Sequence, residues 1–97
     1  MRPVTLADLE TAHRVVMSAP VAARADLARQ LLKQAEMADV HRLRTGDLHP
    51  DFGSGTLQSA AQGWPMAPRA AAFDQEALAV FVLLISQIVD LPTHYHD

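Results

Sequence analysis

The amino-acid sequence predicts an all-α fold, a small irregular helical bundle of three longer helices plus one short helix, with the apolar C-terminal helix central. Three observations predict it. Apolar residues recur at helical spacing through the first half of the chain. Thr, Asp, Pro and Gly stand where helix starts and stops require them. Finally, Ala77 to Ile85 are nine consecutive apolar residues. That run is too short for a membrane span of about 20 residues, so it belongs to a buried or paired helix.

The first helix is expected over about residues 5–18. Thr5 caps it, Asp8 follows three residues on, and acids in the first turn suit the helix dipole. Leu6, Leu9, His13, Val16 and Met17 share one face. The helix stops before Pro20, because the residue preceding a proline is pushed out of the α region. Pro20 then suits the first position of a second helix, about 20–44, which Gly46 ends. Its apolar stripe is Val21, Leu27, Ala28, Leu31, Leu32, Ala35, Ala38 and Leu43, with Asp26, Arg29, Lys33 and Glu36 opposite. Asp39 and Arg42 fall on the apolar side, and Arg24 shares their sector. Such residues either snorkel to water near a helix end or form an inward ion pair.

Turn chemistry (TGD, HPD, GSG) makes about 45–55 a loop. Ser54 or Thr56 caps a short third helix, about 56–62, that turns Leu57, Ala60 and Ala61 inward. Gly63 ends it. Pro65 and Pro68 stiffen a connector over about 63–73, and Trp64 is expected to cover the core. Asp74 caps the last helix, about 74–90. The tail beyond it is expected to fray.

Ninety-seven residues make a single domain, 1–97. At 49 % hydrophobic and 20 % charged it is globular. A chain this short buries only about two-thirds of its unfolded surface. Surplus apolar surface and self-association therefore follow as expectations, the partner being a second copy (a homodimer) or another protein. The net charge of −3 argues against nucleic acid, whose affinity comes from neutralised phosphates. A helix-turn-helix is not expected either, since the connector between helices two and three is too long. With no cysteine, disulfides, thiolate metal sites and cysteine nucleophiles are excluded. The start MRPVTLADLE carries acids and no apolar signal region. The expected setting is cytoplasmic, with no membrane.

The polar stretch 39–56, DVHRLRTGDLHPDFGSGT, raises two candidate sites. A small-anion or ligand site would use Arg42 and Arg44 as a clamp, with Asp39 orienting Arg42. His49, Asp51, Ser54, Thr56 and the helix start at 53–56 would complete it. A metal site would draw on His49 and Asp51 with Asp39 or His41, while Asp47 makes a turn. The spacing fits no H-E-x-x-H or diiron pattern, so no metal or cofactor is assigned. No catalytic residue is assigned: Ser54 lacks the G-x-S-x-G setting, and His13 has no nameable partner and reads as a packed histidine. His94 and His96 could touch a metal weakly.

The opening RPVTLADLE, the central AEMADVHRLRTGDLHPDFGSGTL and the proline connector before an apolar helix resemble a family of small uncharacterised helical proteins of Rhodobacter-type alphaproteobacteria. The resemblance covers most of the chain. It implies a bacterial, cytoplasmic setting and carries no activity or catalytic residue across. The leading expectation is a non-enzymatic interaction module that self-associates through the apolar faces of helices one and four.

Overall fold

A computed structural model describes residues 1–92 of the protein. Four α-helices follow one another: α1 (Leu6–Met17), α2 (Arg24–Thr45), α3 (Leu57–Ala61) and α4 (Gln75–Val89). No strand occurs among the described residues; the sole pairing of that kind is an isolated antiparallel bridge between His49 and Gly53. The fold is all-α. The expectations for His94 and His96 lie outside the described residues.

α1 begins with a complete capping box. The Thr5 hydroxyl oxygen accepts the Asp8 N–H at 3.2 Å, and Asp8 Oδ2 accepts the Thr5 N–H at 2.7 Å. Ala12, His13, Val15 and Val16 are buried. Leu6, expected on the inner face, is 80 % exposed, because Asp8 takes the inward place in the first turn.

α2 starts later than expected. Pro20 precedes a single 3₁₀ turn, Val21–Ala23, and α-helical geometry begins at Arg24. Gly46, at φ +78°, ends the helix and donates its N–H to Arg42 O at 2.8 Å. Ala28, Leu31, Leu32, Ala35 and Ala38 form the buried stripe, whereas Val21 and Leu43 are exposed. At the two ends, buried Arg24 and Asp39 replace them on the inner side. Arg24 settles between helices. Its guanidinium donates to Ala19 O and Met17 O at the end of α1 and pairs with Glu76 at 2.8 Å. A cation on the last carbonyls of a helix satisfies acceptors that the helix leaves open.

α3 is too short to persist alone. Thr56 caps it by accepting the Ser59 N–H, and Leu57, Ala60 and Ala61 bury against α1 and α2. The connector after it is pinned along α1. Ala67 N–H donates to Arg14 O at 2.9 Å, Arg14 Nε donates to Ala67 O at 2.8 Å, and Ser18 Oγ reaches Pro65 O. Trp64 packs on the core and donates its indole N–H to Gln34 Oε1.

α1 and α2 each touch both α3 and α4, which do not touch each other. Leu31, Leu57, Leu84, Val15 and Val16 are the large fully buried apolar side chains, each contributing roughly 1.5–3 kcal/mol of burial. The expectation of a central α4 is refined here. One side, through Ala77, Val80 and Leu84, is buried on α1 and α2, and the other side is open.

Candidate functional site

The polar stretch 39–56 is held together by its own groups. Thr45 Oγ1 bonds back to His41 O and accepts the Asp47 N–H, which closes the end of α2. His49 and Gly53 exchange backbone hydrogen bonds of 2.8 and 3.2 Å, so the loop folds on itself. His49 Nδ1 accepts the N–H groups of Asp51 and Phe52 at 3.0 and 3.1 Å. Its ring stacks on Phe52 and meets His41 edge-on. The histidine therefore works here as the turn's hydrogen-bond acceptor and packing plate.

Asp39, 2 % exposed, is the anchor of this end. Arg42 Nη2 donates to its Oδ1 at 2.7 Å, so the inward ion pair is the form these two residues take. The α-amino group of Met1 lies 3.3 Å from Asp39 Oδ2 and 2.7 Å from Glu36 Oε2. Gly55 presses directly on this residue. A Cβ there would stand 2.7 Å from Asp39 Cα, and φ is +91°, so glycine alone fits. Arg2 N–H then donates to Gly55 O at 2.9 Å. Chain start, loop and α2 meet at one buried carboxylate. Arg42 Nε, also buried, has no partner among the described residues.

The start of α3 is the place where an anion was expected, and one is present: the chain's own Asp8. Asp8 Oδ1 accepts the Gln58 N–H at 2.8 Å while Oδ2 serves the capping box of α1. Ser59 N–H goes to Thr56 Oγ1, and Ser54 N–H goes to Ser59 Oγ. One buried carboxylate thus serves two helix N-termini, where dipole and free N–H groups both favour it. The capping motif was visible in the sequence; the contact fifty residues away carried no signal.

The expected site residues separate into groups. Asp39 and Arg42 pair with each other, while Ser54 and Thr56 lie in the α3 cap. Arg44 is exposed and faces a shallow groove with Val40, His41 and His49, apart from the Asp39–Arg42 pair. Asp51 is exposed at the turn. Among the described residues, no three His, Cys, Asp or Glu side chains converge to hold a metal ion.

The feature left open is apolar. On α4, Leu78, Val82, Ile85 and Val89 are 50, 64, 45 and 74 % exposed. Their spacing of four, three and four residues puts them on one seam. Ala79 and Ser86, small and exposed, flank it. Between Glu76 and Asp90 the helix has no charged residue, so the seam itself is wholly apolar and uncharged. No helix among the described residues is long and apolar enough to cross a membrane.

Sequence reasoning also missed what surrounds His13. The ring is buried, with Nε2 2.7 Å from Ala77 O, stacked on Phe81 and edge-on to Phe73. Its position on an apolar face was legible; the two phenylalanines were not, since they come from the connector and from α4. No curated protein and no solved structure matches the chain. A family model does match, over residues 2–88, and the chain accordingly belongs to the family described as a domain of unknown function, DUF7742.

Proposed function

We propose that the protein is a non-enzymatic helical module of the bacterial cytoplasm that pairs with a second copy of itself through the outward seam of α4. The observation that carries this reading is the uncharged, heptad-spaced row Leu78, Val82, Ile85 and Val89. These side chains expose on the order of 400 Å² of apolar surface, within the ~300–600 Å² of the largest patch on a typical monomer, a patch that is often functional. A second copy is the occupant that fits. A seam without charge offers no pattern for a charged partner to match, and a two-fold axis presents the same row to itself. The expectation of a second surface on the first helix gives way to α4 alone, because Ala12, Val15 and Val16 of α1 already fill the protomer's core.

Pairing two such rows buries on the order of 800 Å², below the ~1,200 Å² at which stable interfaces begin and in the range of weak, transient contacts. The result is a concentration-dependent equilibrium between two folded states. The cytoplasmic and bacterial setting is supported by the cysteine-free composition and by the family resemblance.

Light scattering on wild type and Val82→Glu tests the reading. Wild-type mass is expected to rise above 10.6 kDa with concentration. The variant, placing a charge at the seam of both copies, should remain monomeric with unchanged helicity. A wild type that stays monomeric up to millimolar concentration would sink the proposal.

A further inference from the structure

A cavity of about 280 Å³ lies between α1 and α4, at the face of α4 next to the outward seam. Segment 67–70 forms one wall, and the reciprocal Arg14–Ala67 hydrogen bonds hold that wall in place. His13, Phe73 and Phe81 line it as an aromatic corner. The His13 and Phe81 rings lie 3.8 Å apart and nearly parallel, and Phe73 meets Phe81 edge-on at 5.0 Å. Met17 and Ala77 complete an apolar interior. The charges that border the cavity are Arg14, Arg69 and Glu10.

We propose that this cavity binds a small aromatic carboxylate, with the ring against His13, Phe73 and Phe81 and the carboxylate held by Arg69 and Arg14. Size sets the first limit. The volume falls just under the ~300 Å³ at which small-molecule pockets begin, so the occupant is a single ring with a short substituent. Aromatic walls favour a flat, apolar ring through stacked and edge-on contacts. Charge sets the end group. Two guanidinium groups face one carboxylate at the border, a local positive excess in a chain of net charge −3. Arg69 Nη1 stands 3.7 Å from Glu10 Oε2, longer than the ~2.7–2.9 Å of a charge-assisted hydrogen bond, and both side chains are exposed. Arg69 is therefore loosely held and available to a ligand. Arg14 uses Nε for Ala67 and keeps its terminal nitrogens for the same purpose. The proposal is independent of self-association.

The test is titration of the full chain with benzoate, benzyl alcohol and inorganic phosphate, followed by amide ¹H–¹⁵N shifts. It is run on wild type, on Arg69→Gln and on the Val82→Glu monomer. Benzoate is expected to shift residues around His13, Phe73 and Phe81 in wild type and in Val82→Glu alike. Its affinity should fall about tenfold in Arg69→Gln, the loss of one charged contact, while benzyl alcohol binds both forms equally weakly. Arg69 is exposed with a single long contact, so Arg69→Gln keeps the fold. Any of four results overturns the proposal: no benzoate binding, shifts away from the aromatic corner, benzoate affinity unchanged in Arg69→Gln, or phosphate binding as tightly as benzoate.

Discussion

The loop end of the molecule and the outer face of α4 invert the usual look of a functional surface. The loop end is crowded with Asp, His, Arg and Ser, yet its buried carboxylates are matched from within. Asp39 holds Arg42 and lies beside the Met1 amine, Asp8 holds two helix starts, and His49 holds its own turn. The α4 face is chemically plain, and among the described residues its row Leu78, Val82, Ile85 and Val89 stands exposed. Polar residues in a small protein often satisfy backbone groups that the helices cannot reach, since a buried unsatisfied group costs more than the bond returns. An uncharged apolar row in water has no such internal remedy. A second copy is the occupant proposed for it.

The contrast can be pressed hardest on α4 itself. Leu84→Ala, on the buried side, should cost about 2–5 kcal/mol in urea unfolding. Val82→Ala, two residues away on the open side, should cost no more than about 0.5 kcal/mol in dilute solution. Equal costs would mean that the two sides of the helix are not as different as described.

At the loop end the next largest effect belongs to Asp8. Asp8→Ala removes the acceptor for Thr5 N–H, the Thr5 hydroxyl and Gln58 N–H, and should cost about 3 kcal/mol, read from the same unfolding curves. A cost below about 0.5 kcal/mol would mark the carboxylate as an idle surface group.

The glycines give a finer comparison. Gly55→Ala meets both a positive φ and the backbone of Asp39, and should cost about 2–4 kcal/mol. Gly46→Ala meets the positive φ with open space around it, and should cost about 1 kcal/mol. If the two variants melt alike, Gly55 is not pressed on Asp39.

Local rules made much of this legible. Thr5, Thr56 and Asp74 cap the helices as their residue types demand, and Gly46 ends α2 in the left-handed conformation. Helical spacing offered an inward Asp39–Arg42 pair as one of two outcomes, the other being snorkelling to water, and the pair is the one the structure has. Other features depend on contacts distant in sequence. Nothing at Leu6 announces that Asp8 faces inward to meet Gln58, and nothing at Pro20 announces a 3₁₀ turn before α2. The nine-residue apolar run fixed that α4 is a helix of high burial demand, but its extent could not say that the rest of the chain covers one side. That follows only from the short α3, which lies against α1 and α2 and never reaches α4. The aromatic corner around His13 was hidden for the same reason: its members come from three segments.

The central claim is that the polar end is closed and the α4 seam is open to a second copy. A dilution series of amide ¹H–¹⁵N spectra, from millimolar to micromolar protein, addresses both halves at once. The account predicts concentration-dependent shifts or broadening centred on Leu78, Val82, Ile85 and Val89, with residues 46–56 unchanged. Spectra without concentration dependence on α4, or changes concentrated in 46–56, would contradict it.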